Sequence, residues 1–591
     1  GILTANPDQV KNAYRIDEIS YTEAMEISHF GARVIFPSSV KPALEKGIPI
    51  FIRNTYNPAC AGTKITGKTS HGKHPIRGIS SISSAALVSV LGSGMVGIAG
   101  FSARVFGALA RKSISVILIS QSSSEYSICF AVLPQDAQGA EAALKEEFDR
   151  EIKNGSIEKP IVEKDLSIIA VVGSAMKSTS GISGNVFHAL GRNGINIVAI
   201  AQGSTETNIS AVVSKNDEVK ALNAIHDAFF FPQHRSVNLF LFGTGLIGGT
   251  LLEQIEDNRE KLEKNNISVK LIGAANIDRM IFSEDGLKPK EAKKLVNEGG
   301  KGTEPFNLSS FIEKMVSLNL INSCFCDCTA SEEIAASYEK ILKNSIPIVT
   351  PNKKANSGSM DYYQKLVSFS RKKGTPYLYE TTVGAGLPVI STLRDLYLSG
   401  DTVLKIEAVL SGTLSFIFNN FDGSQPFSAL VKEAKAKGYT EPDPRDDLNA
   451  MDTARKALIL AREIGLNLEF SNVKIEPIIP EACLKAKNVD AFFSELEKAD
   501  ADFENRRAKE AAKGKKLRYI AVIENGKASL SLRGEGEGSP FLSLVDSDNI
   551  VVITTERYSK LPMVIKGPGA GAQVTAGGIF ADIVRTARTM V

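Results

Sequence analysis

The chain has 591 residues, of which 43% are hydrophobic and 23% charged, and its formal net charge is +3. That length exceeds what one core supports and implies roughly three or four domains. The near-neutral charge gives no case for nucleic acid or an anionic membrane, and no apolar run reaches the roughly eighteen residues of a membrane span. Six cysteines are too few for a disulfide framework and there is no signal-peptide pattern, so a cytoplasmic setting is expected.

The chain opens GILTANPDQV, followed by IDEISYTEAMEISHFGA and NTYNPACAGTKI. These stretches resemble the last part of the aspartate kinase catalytic domain, with Phe36 where that family often has His. The Lys- and Gly-rich phosphate-binding start of that fold is not among these residues. The resemblance therefore implies no phosphorylation of aspartate by this stretch, and kinase activity only if a longer parent chain exists.

A polar stretch, Thr66 to Ser84, reads as a linker into an internal repeat. Shifted by 81 residues, LVSVLGSGMVGIAGFSARVFGALARKSISVILISQSSSEYSICFAV lies without a gap over IIAVVGSAMKSTSGISGNVFHALGRNGINIVAIAQGSTETNISAVV. Each copy reads strand, Gly-rich turn, helix, strand, turn, strand, with a second helix following, and this is a ferredoxin-like order. Paired copies of this kind resemble ACT domains, small-molecule sensors of amino-acid biosynthetic enzymes. Gln121 and Gln202 hold equivalent strand ends. They are turn-capping residues on the plain reading, and ligand contacts on the reading the resemblance implies.

Val237 to Thr250, VNLFLFGTGLIGGT, is a short buried strand, a turn with Gly243, Gly245 and Gly248 at G-x-G-x-x-G spacing, and the start of a helix. That context favours dinucleotide binding, with the pyrophosphate over the helix N-terminus. The second strand, Ser268 to Ala275, ends at Ala275 and Asn276 with no acid for the ribose hydroxyls. Arg279 is near enough to accept a 2′-phosphate, so NADP(H) is favoured while NAD(H) stays open.

Cys324, Cys326 and Cys328 alternate in INSCFCDCTA, on one strand face, and lack a fourth ligand or a nearby His, so they read as small buried hydrophobes. Thr329 and Lys353 each follow a buried strand and so face the cofactor end of a parallel sheet. YLYETTVGAGLP carries Glu380 into a Gly-rich turn. In KGYTEPDPRDDLNAMDTARK, Pro442 and Pro444 stiffen a loop bearing Glu441, Asp446 or Asp447 caps the next helix, and Asp452 and Lys456 share a face at i, i+4. An exposed ion pair is the plain reading of the last two, and the rigid acidic loop upstream counts against it. The stretch from Lys515 onward alternates like antiparallel strands, with a hairpin turn at Asn525. KGPGAGAQVTAGGIFADIVRTA then reads as a Gly-rich turn and a helix folding back on the cofactor domain.

All six His lie at or before His234. The dinucleotide half therefore draws its proton donor from Lys, Asp, Glu, Tyr or Cys, which excludes Asp–His and Cys–His arrangements. A Lys suits, if burial or a neighbouring cation lowers its pKa.

GTGLIGG, DCTA, TPNKKA, ETTVGAGLP, SGTLSFIFN, GYTEPDPRDDLNAMDTARK and GPGAGAQVTAGGIFADI together resemble homoserine dehydrogenase. Preceded by the kinase-like and ACT-like stretches, they resemble the bifunctional aspartate kinase and homoserine dehydrogenase family. The resemblance implies an α/β chain made of a kinase-fold remnant (1–66), two ferredoxin-like ACT domains (79–156 and 162–235), a Rossmann-type NAD(P)-binding domain (237–380), an α+β substrate and dimerisation domain (381–560) and a segment returning to the cofactor domain (561–591). It implies Lys456 as proton donor and acceptor, Lys353 as an assisting lysine near the cofactor, and Glu441, Asp452 and Asp447 around the substrate. Gly243, Thr244, Gly245, Leu246, Ile247, Gly248, Thr329 and Gly571 would contact the cofactor. Glu380, Val383, Ala385 and Leu387 would hold a monovalent cation, Na+ or K+, largely through backbone carbonyls. The implied reaction interconverts L-aspartate 4-semialdehyde and L-homoserine, under feedback by L-threonine, with lysine or methionine as alternatives, at Gln121 and Gln202, in a homo-oligomer (dimer or tetramer) with no nucleic-acid or membrane partner. The alternative is a non-catalytic regulatory module sensing an amino acid and redox state; a homoserine-dependent rise at 340 nm separates the two.

Overall fold

The two repeats share one six-stranded antiparallel sheet in the computed structural model, in the order Leu118–Gln121, Ser127–Val132, Gly78–Leu91, Ile161–Val172, Asn208–Ser214, Ile197–Gln202. The described residues are 1–31, 34–67, 74–177 and 179–590. The two central strands run side by side, Gly78 opposite Val172 and Ser89 opposite Ile161, with the register shifting between Ile82 and Ala85. That shift divides the strands between the copies. Residues 161–166 complete the first copy, and residues 78–82, which precede the first copy in sequence, complete the second.

The stretch read as a linker over 66–84 is thus partly strand, and its residues 68–73 lie outside the described residues. Its serines have a specific use. Ser81 and Ser83 Oγ donate to Glu218 Oε1 at 2.6 and 2.7 Å, joined by Gln9 Nε2 at 3.0 Å, while Ser167 Oγ donates to Oε2 at 2.9 Å. A buried carboxylate facing four neutral donors needs no counter-ion. The amino-terminal segment adds Ala5 and Val10 to the apolar core of the second copy. It also forms a small sheet, ordered Glu18–Ser20, Thr63–Thr66, Ile50–Ile52. Its helix Tyr21–His29 starts on a capping box between Ser20 and Glu23.

These elements form one compact unit, Gly1–His234 with Asn319–Ile321; Arg235–Leu318 and Asn322–Met590 form the other. In the second unit the strands Ile267–Ala275, Arg235–Phe242, Ser323–Asp327, Ile348–Val349 and Tyr377–Leu378 are parallel neighbours in that order. An antiparallel edge, Arg279–Leu287 then Glu304–Pro305, extends the sheet. The helix Leu246–Asp257 and the C-terminal helix Ala572–Thr589 bury Leu251, Leu252, Ile255, Ala576, Ile579 and Ile583 in one core with Cys324 and Cys326. A second six-stranded sheet runs Lys474–Ile475, Lys527–Glu535, Lys516–Glu524, Val403–Val409, Asp548–Thr555, Met563–Pro568. Its hairpin turns at Asn525 and Gly526, both at positive φ (51° and 72°), as the right-handed twist of the strands demands. No helix among the described residues is long and apolar enough to cross a membrane.

Candidate active site

Gly243 ends the strand Arg235–Phe242 at φ 95°. A Cβ there would sit 2.9 Å from the Cys328 carbonyl oxygen, and one on Gly248 would sit 1.8 Å from the Gly243 carbonyl oxygen. Both glycines are therefore demanded by packing. At Gly245, the N-cap of the helix, a Cβ would meet nothing within 4 Å. That open space above the unpaired N–H groups of a helix start is the cradle a pyrophosphate requires, so the residues fit a dinucleotide. Leu246 is exposed at the first helical position, and Ile247 packs on the core beneath. Thr244 is fully buried with its Oγ1 donating to Asn297 Oδ1 at 2.6 Å, which leaves only its backbone for a ligand. Gly571, at φ 111°, caps the C-terminal helix.

At the end of the second strand, Asn276 Oδ1 accepts the N–H groups of Asp278 and Arg279 at 2.8 and 2.7 Å and so closes the turn into the antiparallel edge. Arg279 opens that edge strand, its Nε 3.2 Å from where a Cβ on Gly299 would lie.

Asp327 is a hub that the sequence did not reveal. It is fully buried at the end of the strand Ser323–Asp327. Oδ1 accepts the Thr329 N–H and hydroxyl at 2.8 and 2.7 Å; Oδ2 accepts Tyr338 at 2.5 Å and Asn352 Nδ2 at 2.9 Å. Burial raises its pKa, with those donors opposing. The hub ties Thr329 on one strand end to Asn352, the neighbour of Lys353, on the next. The only local sign of it is an Asp two residues before a Thr at a strand end.

Lys353 Nζ lies 3.2 Å from Asp452 Oδ1, and Lys456 Nζ lies 2.9 Å from Asp452 Oδ2. Lys456 also donates to the Leu410 carbonyl at 2.7 Å. The carboxylate is half exposed, whereas the Lys456 side chain is 12% exposed. Burial alone would raise the Asp452 carboxyl, but the ammonium groups of Lys456 and Lys353 outweigh it and hold the carboxyl well below the usual range. Burial lowers the Lys353 ammonium; Asp452 opposes that, and Lys456 adds to it. The second lysine on the carboxylate and the low exposure of Lys456 set this cluster apart from an i, i+4 surface pair.

The loop upstream is fixed by Asp447, whose Oδ1 accepts the Thr413 hydroxyl and whose Oδ2 accepts the Glu441 N–H, each at 2.8 Å. Asp447 thereby fixes the backbone position of Glu441. Glu441 is exposed, and its carboxylate takes no hydrogen bond or ion pair among the described residues.

The carboxylate of Glu380 caps the helix Ile390–Leu398, accepting from Ile390 and Ser391 N–H at 2.7 and 3.0 Å, and pairs with Arg585 at 3.2 Å. The carbonyls of Glu380 and Leu387 accept from Val383 and Val389 N–H. Those of Val383 and Ala385, on either side of Gly384 and in a turn where Ala385 stands at φ 52°, accept none among the described residues. Both oxygens are open to a ligand.

In the first unit Gln121 and Gln202 end equivalent strands, yet their surroundings differ. Ser183 Oγ donates to Gln202 Oε1 at 3.0 Å. The adjacent turn of the second copy already holds a carboxylate, since Ser174 N–H and hydroxyl donate to Glu23 Oε1 at 2.8 and 2.7 Å. The matching turn of the first copy begins at Ser93, which is exposed.

Comparison with known proteins gives a consistent picture. Residues 388–584 match the homoserine dehydrogenase family, 243–380 the homoserine dehydrogenase NAD binding domain, 88–148 and 169–229 the ACT domain, and 1–54 the amino acid kinase family. The bifunctional aspartokinase/homoserine dehydrogenase of Haemophilus influenzae is 42% identical over 586 residues, 99% of this chain and 71% of that protein. The chloroplastic bifunctional aspartokinase/homoserine dehydrogenase 2 of Arabidopsis thaliana is 42% identical over 596 residues, and the chain spans 65% of its length. A crystal structure of a Candida auris protein of unknown function is 34% identical at a TM-score of 0.56, covering 60% of this chain and 99% of that one.

Proposed function

This chain belongs to the bifunctional aspartokinase/homoserine dehydrogenase family, and from that premise we propose that its second unit interconverts L-homoserine and L-aspartate 4-semialdehyde with NADP(H) or NAD(H). The observation that carries this reading is the pair of lysines on one carboxylate, with Lys456 Nζ held between Asp452 and the Leu410 carbonyl. Gly243, Gly245 and Gly248 would hold the dinucleotide by its pyrophosphate, and its nicotinamide would supply or take the hydride. Lys456 gives a proton to the oxygen of the nascent alkoxide in reduction and removes it from the homoserine hydroxyl in oxidation. Lys353 keeps a second positive charge near that oxygen, which favours the alkoxide. Glu441 offers its open carboxylate to the substrate ammonium, at an angle set by Asp447 and Pro442. The outer face of Asp452 adds to that charge.

Regulation belongs to the same proposal. L-Threonine is the effector of the ACT pair, through Gln121 and Gln202, and Na+ or K+ sits at the carbonyls of Val383 and Ala385. The protein acts in the cytoplasm as a homo-oligomer. The test of the activity is direct: NADP+ or NAD+ with L-homoserine should give absorbance at 340 nm, and a chain that yields none with either cofactor is not a dehydrogenase of homoserine.

A further inference from the structure

Asn549 is the second residue of the strand Asp548–Thr555 and is fully buried, yet neither Nδ2 nor Oδ1 has a hydrogen-bond partner among the described residues. A buried carboxamide with no partner costs stability and calls for a reason. Its neighbours supply one. Val409 pairs with Ile550, which sets Asn549 level with Leu410, the residue whose carbonyl accepts from Lys456 Nζ. On its other side Asn549 pairs with Gly567. A Cβ on Gly569 would fall 1.9 Å from Asn549 Cγ, so the carboxamide lies flat against the Gly569 backbone and only glycine fits there. The loop continues through exposed Ala570 and Gly571 into Ala572–Thr589, the helix that packs on the dinucleotide helix.

The unpaired group thus stands between the anchor of the proposed acid–base lysine and the loop leading to the cofactor helix. Its chemistry is neutral and planar, with one donor side and one acceptor side. Its complement is another primary carboxamide. We propose that Asn549 is a cofactor-positioning residue whose amide pairs with the carboxamide of nicotinamide, donor to acceptor on both sides, when residues 569–571 draw aside. This rests on the dehydrogenase reading above. It explains why the group is left unpaired at rest and why the loop over it is glycine-rich.

The test uses the full chain and two dinucleotides: NADP+, and its 3-acetylpyridine analogue, in which a methyl group replaces the amide nitrogen. Dissociation constants by titration calorimetry should favour NADP+ by about tenfold in the wild type, the worth of one hydrogen bond. In Asn549→Leu both dinucleotides should bind alike, at the weaker level. The unfolding temperature of that variant without cofactor should equal or exceed that of the wild type, because the unpaired amide is gone. Asn549→Ala gives the same ratio test should Leu not be accommodated. A preference for NADP+ that survives in either variant overturns the proposal. So does a wild type that binds both dinucleotides equally and still oxidises homoserine, and the dehydrogenase reading then stands. A wild type that binds neither NADP+ nor NAD+ overturns both.

Discussion

Lys353 and Lys456 reach one carboxylate from different parts of the chain, Asp452 receiving the first on Oδ1 at 3.2 Å and the second on Oδ2 at 2.9 Å. Two ammonium groups this close persist because the shared anion neutralises part of their repulsion. Lys456→Ala is expected to lower turnover by roughly 10²- to 10⁴-fold, the worth of a positioned proton donor, while calorimetry shows NADP(H) binding intact. Asp452→Asn should lower kcat and raise KM for homoserine together. If Lys456→Ala turns over within a few-fold of the wild type, the cluster is a surface ion pair and the mechanism is wrong.

Cofactor choice should respond to the strand end at Ala275. Arg279→Ala removes the only guanidinium that the turn Asn276–Arg279 presents, and should weaken NADP(H) roughly tenfold or more, the range of a charge-assisted hydrogen bond, with little change for NAD(H). Asn276→Asp keeps the acceptor that closes the turn and adds a charge that repels a 2′-phosphate. The ratio of kcat/KM values for the two cofactors measures both effects, and an unchanged ratio in both variants would place the adenosine ribose elsewhere.

The repeats predict unequal effector sites. Glu23 already fills the turn of the second copy and Ser183 already holds Gln202, whereas Gln121 ends its strand exposed. Gln121→Ala should therefore relieve inhibition by L-threonine more than Gln202→Ala, read as the shift in half-inhibitory concentration on the full chain. Substrate and threonine should weaken each other by the same factor, since coupling of binding is reciprocal. Equal shifts in the two variants would show that Glu23 yields its place to the ligand.

Acid should destabilise the first unit through His226. The ring is fully buried, with Nε2 2.9 Å from Thr4 Oγ1 and Nδ1 unpartnered among the described residues. Burial, with His74 adding, pushes its pKa down to about 4. Between the ordinary value of about 6.5 and that level the unfolded chain binds a proton that the fold refuses. Stability is thus fully present above that window and falls as pH drops through it, by about 3 kcal/mol in all. Asp227, raised to about 6 by burial, gains stability over much of the same range on protonation, so the comparison needs a variant. In His226→Gln, which can still bond to Thr4, calorimetric unfolding should lose less between pH 7 and 5 than in the wild type.

The parts of this chain that were legible in its sequence are those with short-range causes. The G-x-G-x-x-G turn, the Asn525 hairpin and the i, i+4 placement of Asp452 and Lys456 follow from local backbone geometry. The strand Arg279–Leu287 escaped notice because its second half, SEDGL, lies on a sheet edge and needs no apolar face. The polar run before the first repeat misled for a different reason, since Ser81 and Ser83 are polar in order to serve a carboxylate on a helix far along the chain. Lys353 on Asp452, the Asp327 hub and the unpaired Asn549 depend on contacts between distant segments, which spacing cannot express.

The exchange of strands between the two repeats limits how such a pair can be recombined. A border drawn where the sequence repeat suggests one, between residues 156 and 162, separates the first copy from the strand that finishes its sheet and leaves two open edges prone to aggregation. A fragment starting at residue 66 keeps the sheet but discards Ala5 and Val10 from the core of the second copy. Exchanging the repeats of this chain for another pair therefore means transplanting both copies together with the segment that precedes them. By the same logic, in a lineage where one repeat changes its ligand, its twin is carried along and must tolerate the change.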